Sequence, residues 1–214
     1  MLALWPMLKD QEKLFFPSNP FDLKPSRGDV KRMEITLAAL DCLATIGFDK
    51  TTYEAIAQKL GTRRAHINYY FKGKHEIIMA CVKYIMANYQ RVSNEHLLKA
   101  KSKDEMLIHY VEGPYLWAEH YPKELIVMML FYYLCSIDDR YRELHDRIRD
   151  TGALRIHHIL TNLLGFTDDK AKKLSKIIQN SISGFMLDGI TTSGNKLRKM
   201  DNIDFVKALI DCSH

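Results

Sequence analysis

Two short helical patterns meet at a single glycine, Gly61, within the stretch TTYEAIAQKLGTRRAHINYYFKGK at residues 51–74. In the first pattern, Ile56, Ala57 and Leu60 recur at the spacing of one buried helical stripe. Gly61 stands where a residue in the left-handed conformation commonly ends a helix. Because the chain turns so soon between the two patterns, the stretch predicts a helix-turn-helix.

The residues around the turn predict where each helix begins and which side of the second helix is buried. Thr51 is predicted to cap the first helix, with Glu54 completing a capping box. Thr62 is predicted to cap the second helix. Ile67 and Phe71 are four residues apart in that helix, so they share one face and are predicted to pack on the first helix.

The other face of the second helix is polar and basic, since residues 55–75 contain no Asp or Glu. At about 100° per residue, four residues oppose the buried stripe: Thr62, Ala65, His66 and Tyr69. Arg63 and Arg64 lie in the first turn, the end that a recognition helix places deepest in the major groove, where arginine makes bidentate contacts with guanine. The flanking polar residues suit phosphate oxygens: Asn68, Tyr70, Lys72 and Lys74. This face predicts binding to double-stranded DNA.

The positive charge of the chain is concentrated around this motif. Residues 27–74 contain nine Lys or Arg and five Asp or Glu, a net charge of +4, while the whole chain of 214 residues has +5. The remainder is therefore close to neutral. A local cationic region is expected of a surface that contacts phosphates, and it does not favour general adhesion to membranes.

The segment from about Asp29 to Met86 resembles the DNA-binding domain of the tetracycline repressor-like (TetR) family of bacterial transcriptional regulators. The resemblance rests on residues that occur in the family's order: Ile35, Ala38, Ala39, Leu40, Leu43, Gly47, Phe48, Thr51, Thr52, Ile56, Ala57, Gly61, Ile67, Tyr70, Phe71 and Lys74. Several spaced matches are much more specific than a lone glycine motif. Two positions depart from the family: Asn68 stands where tyrosine is frequent, and Arg63 where a capping serine is common.

The resemblance implies an all-α fold, in which an N-terminal three-helix, helix-turn-helix DNA-binding domain precedes a C-terminal helical effector-binding and dimerisation domain. It implies DNA-backbone contacts from four residues: Thr52, Asn68, Tyr70 and Lys74. It implies base or groove contacts from three others: Arg64, His66 and Tyr69. A two-fold dimer would place two recognition helices about 34 Å apart, so that they read a palindrome.

From Lys74 onward the pattern is helical almost throughout, and no alternation is long enough to predict a strand. Helices are predicted at residues 74–99, 103–121, 122–136, 140–164, 168–192 and 202–211. Pro114 is expected to bend or break the second of these, whereas Pro122 suits a first turn. We predict three regions: an N-terminal extension at 1–28, the helix-turn-helix DNA-binding domain at 29–75, and the helical effector-binding and dimerisation domain at 76–214.

The helical domain contains candidates for two further sites. Large side chains with polar tips favour a ligand pocket, although such stripes also form ordinary cores: His109, Tyr110, Trp117, Met128, Phe131 and Tyr132. Apolar and small residues near the C-terminus suit a four-helix dimer interface, as the resemblance implies: Ile178, Ser181, Ile182, Phe185, Val206, Leu209 and Ile210.

Cysteine spacing and the N-terminal residues bear on where the protein works. Cys42, Cys81, Cys135 and Cys212 show no paired spacing, and Cys42 and Cys81 fall on predicted buried faces, as expected of reduced cytosolic residues. No signal peptide or membrane span is evident, so a cytoplasmic protein is expected. The extension at 1–28 is rich in proline and aromatic residues. It could lie as an arm across an apolar surface or form a mobile tail.

Together these patterns predict a DNA-binding transcriptional regulator, a repressor that binds a palindromic operator as a homodimer and is released by a small-molecule effector. The alternative is a helical protein-interaction module whose helix-turn-helix is an anchor or has lost sequence specificity. An enzyme is not expected, because no nucleophile motif or metal-ligand spacing occurs, and His157 and His158 point to different helix faces. We expect no catalytic residue, metal or cofactor.

Overall fold

A computed structural model describes residues 26–192 and 197–213, and this part of the chain is folded entirely from helices. The predicted all-α class is therefore confirmed. The helices in this part are α1 (Arg27–Lys50), α2 (Tyr53–Lys59), α3 (Arg64–Tyr70), α4 (Lys74–Leu97), α5 (Lys103–His120), α6 (Pro122–Ile137), α7 (Asp139–Asn162), α8 (Asp168–Thr191) and α9 (Lys199–Asp211). The structural prediction for the extension at 1–28 lies almost wholly outside the described residues.

The described residues form two compact units. One contains the residues up to Asn88 together with Tyr121–Arg142, and the other contains Tyr89–His120 together with the described residues from Glu143 onward. Helices α4 and α7 each contribute to both units. These units do not follow the simple division at residue 75, so the functional boundaries predicted from the sequence stay a prediction. In the described part of the chain, every helix is too short or too polar to cross a bilayer.

Helix α1 begins with a capping box and buries one face. The Ser26 hydroxyl accepts a bond from the Asp29 N–H, and the Asp29 carboxylate accepts one from the Ser26 N–H. These bonds satisfy backbone donors that have no partner within the helix. The buried face includes Ile35, Ala39 and Leu43 and packs in the first unit, where α1 contacts α6.

Both predicted caps of the helix-turn-helix are corrected by the structure. Thr52, not Thr51, caps α2, because its side chain accepts from the Ala55 N–H at 3.1 Å, while the Thr51 hydroxyl donates to the Gly47 carbonyl oxygen. With Ala55 three residues after the cap, no Glu side chain can complete a capping box. Helix α3 begins after Arg63, which provides no side-chain cap.

In the second unit the structure corrects the prediction for Pro114. Helix α5 continues through Pro114, so the predicted break is wrong. Pro114 removes one backbone donor, but the residues around it are buried, including Tyr115 and Trp117, and their packing offsets that loss. Helix α9 packs on α5 and α8. There the buried Asn202 side chain donates to the Tyr115 hydroxyl at 2.9 Å and accepts from Ser181 at 2.8 Å.

Candidate nucleic-acid interface

The recognition helix α3 has one fully buried side and one open side. Ile67 and Phe71 are both 0% exposed, as predicted. Gly61 has φ of +61°, which confirms the left-handed turn before the helix. The open side carries exposed residues, with Tyr69 at 73% exposure: Arg63, Arg64, Ala65, Asn68 and Tyr69. Thr62, His66 and Tyr70 are half-buried at its margins.

The C-terminal end of α3 is held by side chains from outside the helix. The Arg32 guanidinium donates to the Tyr70 carbonyl oxygen and lies 4.4 Å from the centre of the Phe71 ring. The Tyr53 hydroxyl donates to the Phe71 carbonyl oxygen at 2.9 Å. Lys72 donates to the Asn68 carbonyl oxygen at 3.2 Å. Donors and cations are favourable here, because the last carbonyls of a helix have no partners and carry the negative end of its dipole.

We define Arg32, Tyr53 and Lys72 as the α3 clamp. Burial raises the pKa of Tyr53, so its hydroxyl keeps the donated proton at neutral pH. Sequence reasoning gave Arg32 and Tyr53 no role in the site. Neither lies on the recognition helix, and Arg32 is 38 residues from its acceptor, so no local spacing could have identified the contacts.

Contacts between aromatic rings position side chains on the open side of α3. The Tyr70 ring makes edge contacts with its neighbours, 5.2 Å from the centre of His66 and 5.0 Å from the centre of Tyr69. Such T-shaped contacts are favourable between ring quadrupoles. His66 and Tyr69 are therefore held at adjacent positions on one surface.

The two arginines of the first turn are available for a ligand. Among the described residues, none forms an ion pair with Arg63 or Arg64. Asp41 is paired with Lys59 and Lys123, and the bond from Lys123 contributes most to lowering its pKa. The exposed surface consequently presents cations without local carboxylate neutralisation.

Lys74 and Thr52, predicted to contact phosphates, already have partners within the chain. The Lys74 ammonium donates to the Phe48 carbonyl oxygen and lies 3.8 Å from the centre of the Phe48 ring. Burial lowers the pKa of Lys74. The Thr52 hydroxyl accepts the capping bond of α2, although the residue itself is exposed. Lys74 thus joins α4 to the end of α1, a role that the sequence did not predict.

Comparison with known proteins identifies the motif. Residues 35–81 match the model of bacterial regulatory proteins of the tetR family, a segment that includes α2, α3 and the turn between them. This match supports a TetR-family regulator, and it covers the helix-turn-helix segment of the chain. No curated protein sequence matches it.

Solved structures share the fold of this chain over most of its length. A transcriptional regulator from Rhodococcus sp. Rha1 has a TM-score of 0.71 at 13% identity, covering 85% of this chain and 96% of that one. A TetR transcription regulator from Haloarcula marismortui has a TM-score of 0.68 at 16% identity, covering 86% and 97%. A Saccharomonospora viridis protein in complex with choline has a TM-score of 0.64 at 23% identity, covering 84% and 95%.

The residues predicted to form a ligand pocket fall into different compact units. His109, Tyr110 and Trp117 belong to the second unit, whereas Met128, Phe131 and Tyr132 belong to the first. Several have core contacts within their own unit. Tyr110 donates to the Gly152 carbonyl oxygen at 3.2 Å, and the Trp117 ring lies edge-on to Tyr89 at 5.7 Å. Phe131 is 0% exposed, with its ring 6.2 Å from Tyr141.

The predicted dimer residues divide between the interior and the surface of α8 and α9. Ile178, Ile182 and Val206 are at most 5% exposed within the single chain, which leaves them almost no surface for another subunit. Ser181, Phe185, Leu209 and Ile210 are half-buried. Large apolar side chains of the same helices remain open: Ile177, Leu187, Met200 and Phe205. The exposed apolar residues of α8 and α9 therefore differ from the residues predicted for the interface, and the interface itself stays a prediction.

Proposed function

We propose that this TetR-family regulator is a cytoplasmic repressor that binds a palindromic operator as a homodimer and is released by a small-molecule effector. The observation that carries the DNA-binding part is the surface of α3, where Arg63 and Arg64 are exposed and unneutralised on a helix whose other side is buried. This arrangement presents guanidinium groups to a groove while the core fixes the helix.

Within this surface the residues have different proposed roles. Arg63, Arg64 and Tyr69 reach base edges, and the small Ala65 permits close approach of the backbone. Thr62 and His66 also face the groove, and further polar groups bind phosphate oxygens: Thr52, Asn68 and Tyr70. For Lys74 we replace the predicted phosphate contact with a positioning role, since its ammonium already binds the Phe48 carbonyl oxygen.

For dimerisation we propose the open faces of α8 and α9. Three exposed residues share one side of α8: Ile177, Gly184 seven residues later, and Leu187 three residues after that. The small Gly184 allows close approach of a facing helix, since no atom lies within 4 Å of where its Cβ would be. Exposed Phe205 continues the apolar surface on α9. Two such pairs of helices make an isologous four-helix interface.

Release by an effector would act through α4. This helix begins three residues after the C-cap Phe71 of the recognition helix and continues into the second unit. A ligand that binds one arrangement of the second unit better than another shifts the population of that arrangement. A displaced α4 would change the spacing of the two recognition helices and weaken operator binding.

The effector we propose carries an anionic group. Arg155 is 6% exposed, and within the described residues its Nε and Nη2 atoms have no hydrogen-bond partner. Buried guanidinium nitrogens without partners are costly, and a carboxylate or phosphate group matches the donors of these two atoms. Choline, bound by the Saccharomonospora viridis protein, is a cation that Arg155 would repel. Stabilisation of the wild-type protein by small carboxylic acids or phosphate esters, and not by choline, would support this ligand class; loss of that response in Arg155→Gln would assign it to Arg155.

The experiment that tests the function is selection of bound duplexes from random DNA, followed by affinity measurements on the selected site. We expect an enriched palindrome. Arg64→Ala should lose about 1–3 kcal/mol on that site and tolerate more sequences at one position of each half-site. Arg147→Ala is the matched control, because Arg147 is equally an exposed arginine but lies on α7 in the second unit.

The interaction-module alternative makes the opposite prediction. If the helix-turn-helix serves only as an anchor, selection should enrich no sequence, and Arg64→Ala should weaken every duplex equally. A single half-site without symmetry would refute the palindrome while leaving sequence-specific DNA binding intact. Sedimentation of Leu187→Asp and of wild type then tests the dimer separately, since a wild-type monomer at micromolar concentration contradicts it.

A further inference from the structure

Three side chains of the second unit meet where α4 ends and α5 runs beside it. His96 lies in the last turn of α4, and His109 and Glu112 are three residues apart on one face of α5. One ring nitrogen from each histidine and one carboxylate oxygen all lie within 4.8 Å of one another. The His96 Nε2 atom and the Glu112 Oε2 atom are 2.7 Å apart.

A backbone contact orients one of the imidazole rings. His109 Nδ1 is 3.0 Å from the carbonyl oxygen of His96, a distance at which the Nδ1–H donates to that acceptor. The proton is then fixed on Nδ1, and the lone pair is left on Nε2. Metal-binding histidines commonly donate their second ring nitrogen to a carbonyl or carboxylate in this way. The His96 and His109 rings stack, with centres 4.4 Å apart and planes 16° from parallel, so one ring must turn before both rings can bind the same ion through their in-plane lone pairs.

The surroundings of the three side chains suit an exchangeable ion. The side chains of His96 and Glu112 are 16% and 24% exposed, so solvent reaches them but does not surround them. Partial burial strengthens the attraction between a cation and the Glu112 carboxylate relative to bulk water. An ion could enter from solvent without unfolding of either helix.

We propose that His96, His109 and Glu112 bind one divalent transition-metal ion, with Zn²⁺, Co²⁺ and Ni²⁺ as the class that fits. Imidazole nitrogen with carboxylate oxygen suits these ions, whereas Mg²⁺ and Ca²⁺ prefer oxygen donors alone. Bond lengths of about 2.0–2.2 Å in a tetrahedral site place two ligand atoms roughly 3.3 Å apart. To bind the ion, the His96–Glu112 pair, a hydrogen bond at 2.7 Å, releases its shared proton and opens by roughly 0.6 Å. Side-chain rotations bring the third atom from within 4.8 Å. Three protein ligands leave a fourth position for water.

The spacing of histidines and acids along the chain does not indicate this metal site. His109 and Glu112 alone are a common spacing on a helix, and the third ligand comes from 13 residues upstream of His109 on another helix. Only the packing of α4 beside α5 brings the set together. The proposal does not depend on the DNA-binding function, since it concerns the second unit alone.

The test uses the full chain without an affinity tag, in a Cys212→Ser background, because Cys212 is exposed and its thiol would also bind these ions. Titration with Co²⁺ followed by visible absorption, and with Zn²⁺ by calorimetry, should show one ion per chain. His96→Gln, His109→Gln and Glu112→Gln should each weaken binding by at least tenfold, on the order of a lost ligand interaction. Glu112→Gln keeps an oxygen that accepts a hydrogen bond from His96 but removes the negative charge. Weaker metal binding in this variant would therefore show that the carboxylate charge is needed.

The matched control is His157→Gln, which breaks another histidine–carboxylate pair of the second unit, where His157 Nε2 is 2.9 Å from Asp168 Oδ1. This variant should bind metal as the wild type does. Absence of saturation at one ion per chain would overturn the proposal. Equal loss in His157→Gln and His96→Gln would do so too, because it would indicate nonspecific binding. Helical circular dichroism without metal verifies that each variant is folded.

Discussion

A substitution at Gly61 tests whether the turn between α2 and α3 depends on the backbone conformation of this glycine. Its φ of +61° lies in the left-handed region, and no atom lies within 4 Å of where a Cβ would be. Replacement by alanine therefore causes no collision, and the entire effect is conformational. For an L-residue this region costs about 1–2 kcal/mol relative to the right-handed one. Gly61→Ala should accordingly lower the free energy of unfolding by about 1–2 kcal/mol.

Gly28 provides a matched control with the opposite expected sign. It lies in the first turns of α1 with an ordinary backbone conformation, and an added Cβ would meet only the Ser26 Oγ atom at 3.6 Å. Alanine is favoured over glycine in a helix by about 0.5–1 kcal/mol. Gly28→Ala should therefore stabilise the protein. The two identical substitutions should differ by about 1.5–3 kcal/mol.

The assay is urea unfolding of the three proteins at one fixed concentration, with operator binding measured on the folded variants. At about 2–4 °C per kcal/mol for a chain of this size, Gly61→Ala should also melt about 2–8 °C lower. Gly61→Asn should recover part of the loss, because asparagine tolerates the left-handed region. If Gly61→Ala unfolds at the same urea concentration as the wild type, or if Gly28→Ala is destabilised as much, the conformational explanation is wrong.

Three further predictions concern packing, a buried polar contact and pH. Gly113→Ala should be destabilised by about 1–3 kcal/mol in thermal or urea unfolding, because its Cβ would lie 3.0 Å from the Ser93 Cα and 2.8 Å from its Oγ. Asn202→Ala should lower the free energy of unfolding by about 2–4 kcal/mol, because it leaves the buried Tyr115 hydroxyl without its donor. In a Tyr115→Phe background the same substitution should cost less, because that hydroxyl is then absent. Because the pKa of Asp41 is lowered in the folded protein, its ionised carboxylate stabilises the fold above a pH of about 4, and this stabilisation is lost as the pH falls. Asp41→Asn should therefore be less stable than the wild type at pH 7, and the difference should vanish in acid unfolding curves; a constant difference would contradict the linkage.

The sequence predicted the buried side of the recognition helix because that information is local. Ile67 and Phe71 are one turn apart, and helical geometry alone puts them on the same face. The turn at Gly61 is local for the same reason. The caps failed although they too are local, because Thr51 and Thr52 are both able to cap a helix and the choice depends on the hydrogen bond from Thr51 to Gly47. Two adjacent residues of equal propensity are distinguished only by the hydrogen bonds that each makes in the folded chain.

The second unit shows where a periodic pattern reaches its limit. Ile178 and Val206 belong to apolar stripes that the sequence revealed correctly, yet both are 0% exposed and serve the chain's own interior. An apolar stripe indicates that one face of a helix is buried, but it does not indicate which other helix or subunit covers that face. Helices α8 and α9 each carry more apolar surface than one partner helix covers, so exposed Ile177 and Phe205 lie beside the buried stripe. The candidate interface could be placed only after the internal packing was known.

The shortness of α3 makes the α3 clamp part of the recognition apparatus. Seven residues are too few for a stable isolated helix, because isolated helices below about 12–15 residues are marginal in water. Helix α3 also begins without a side-chain cap, so its order must come from Ile67, Phe71 and the clamp. Ile67 and Phe71 are buried on the side of α3 opposite the open surface that presents Arg63 and Arg64. Affinity for DNA should therefore depend on residues that never touch DNA, since an arginine on a frayed helix would have to be ordered before it could bind.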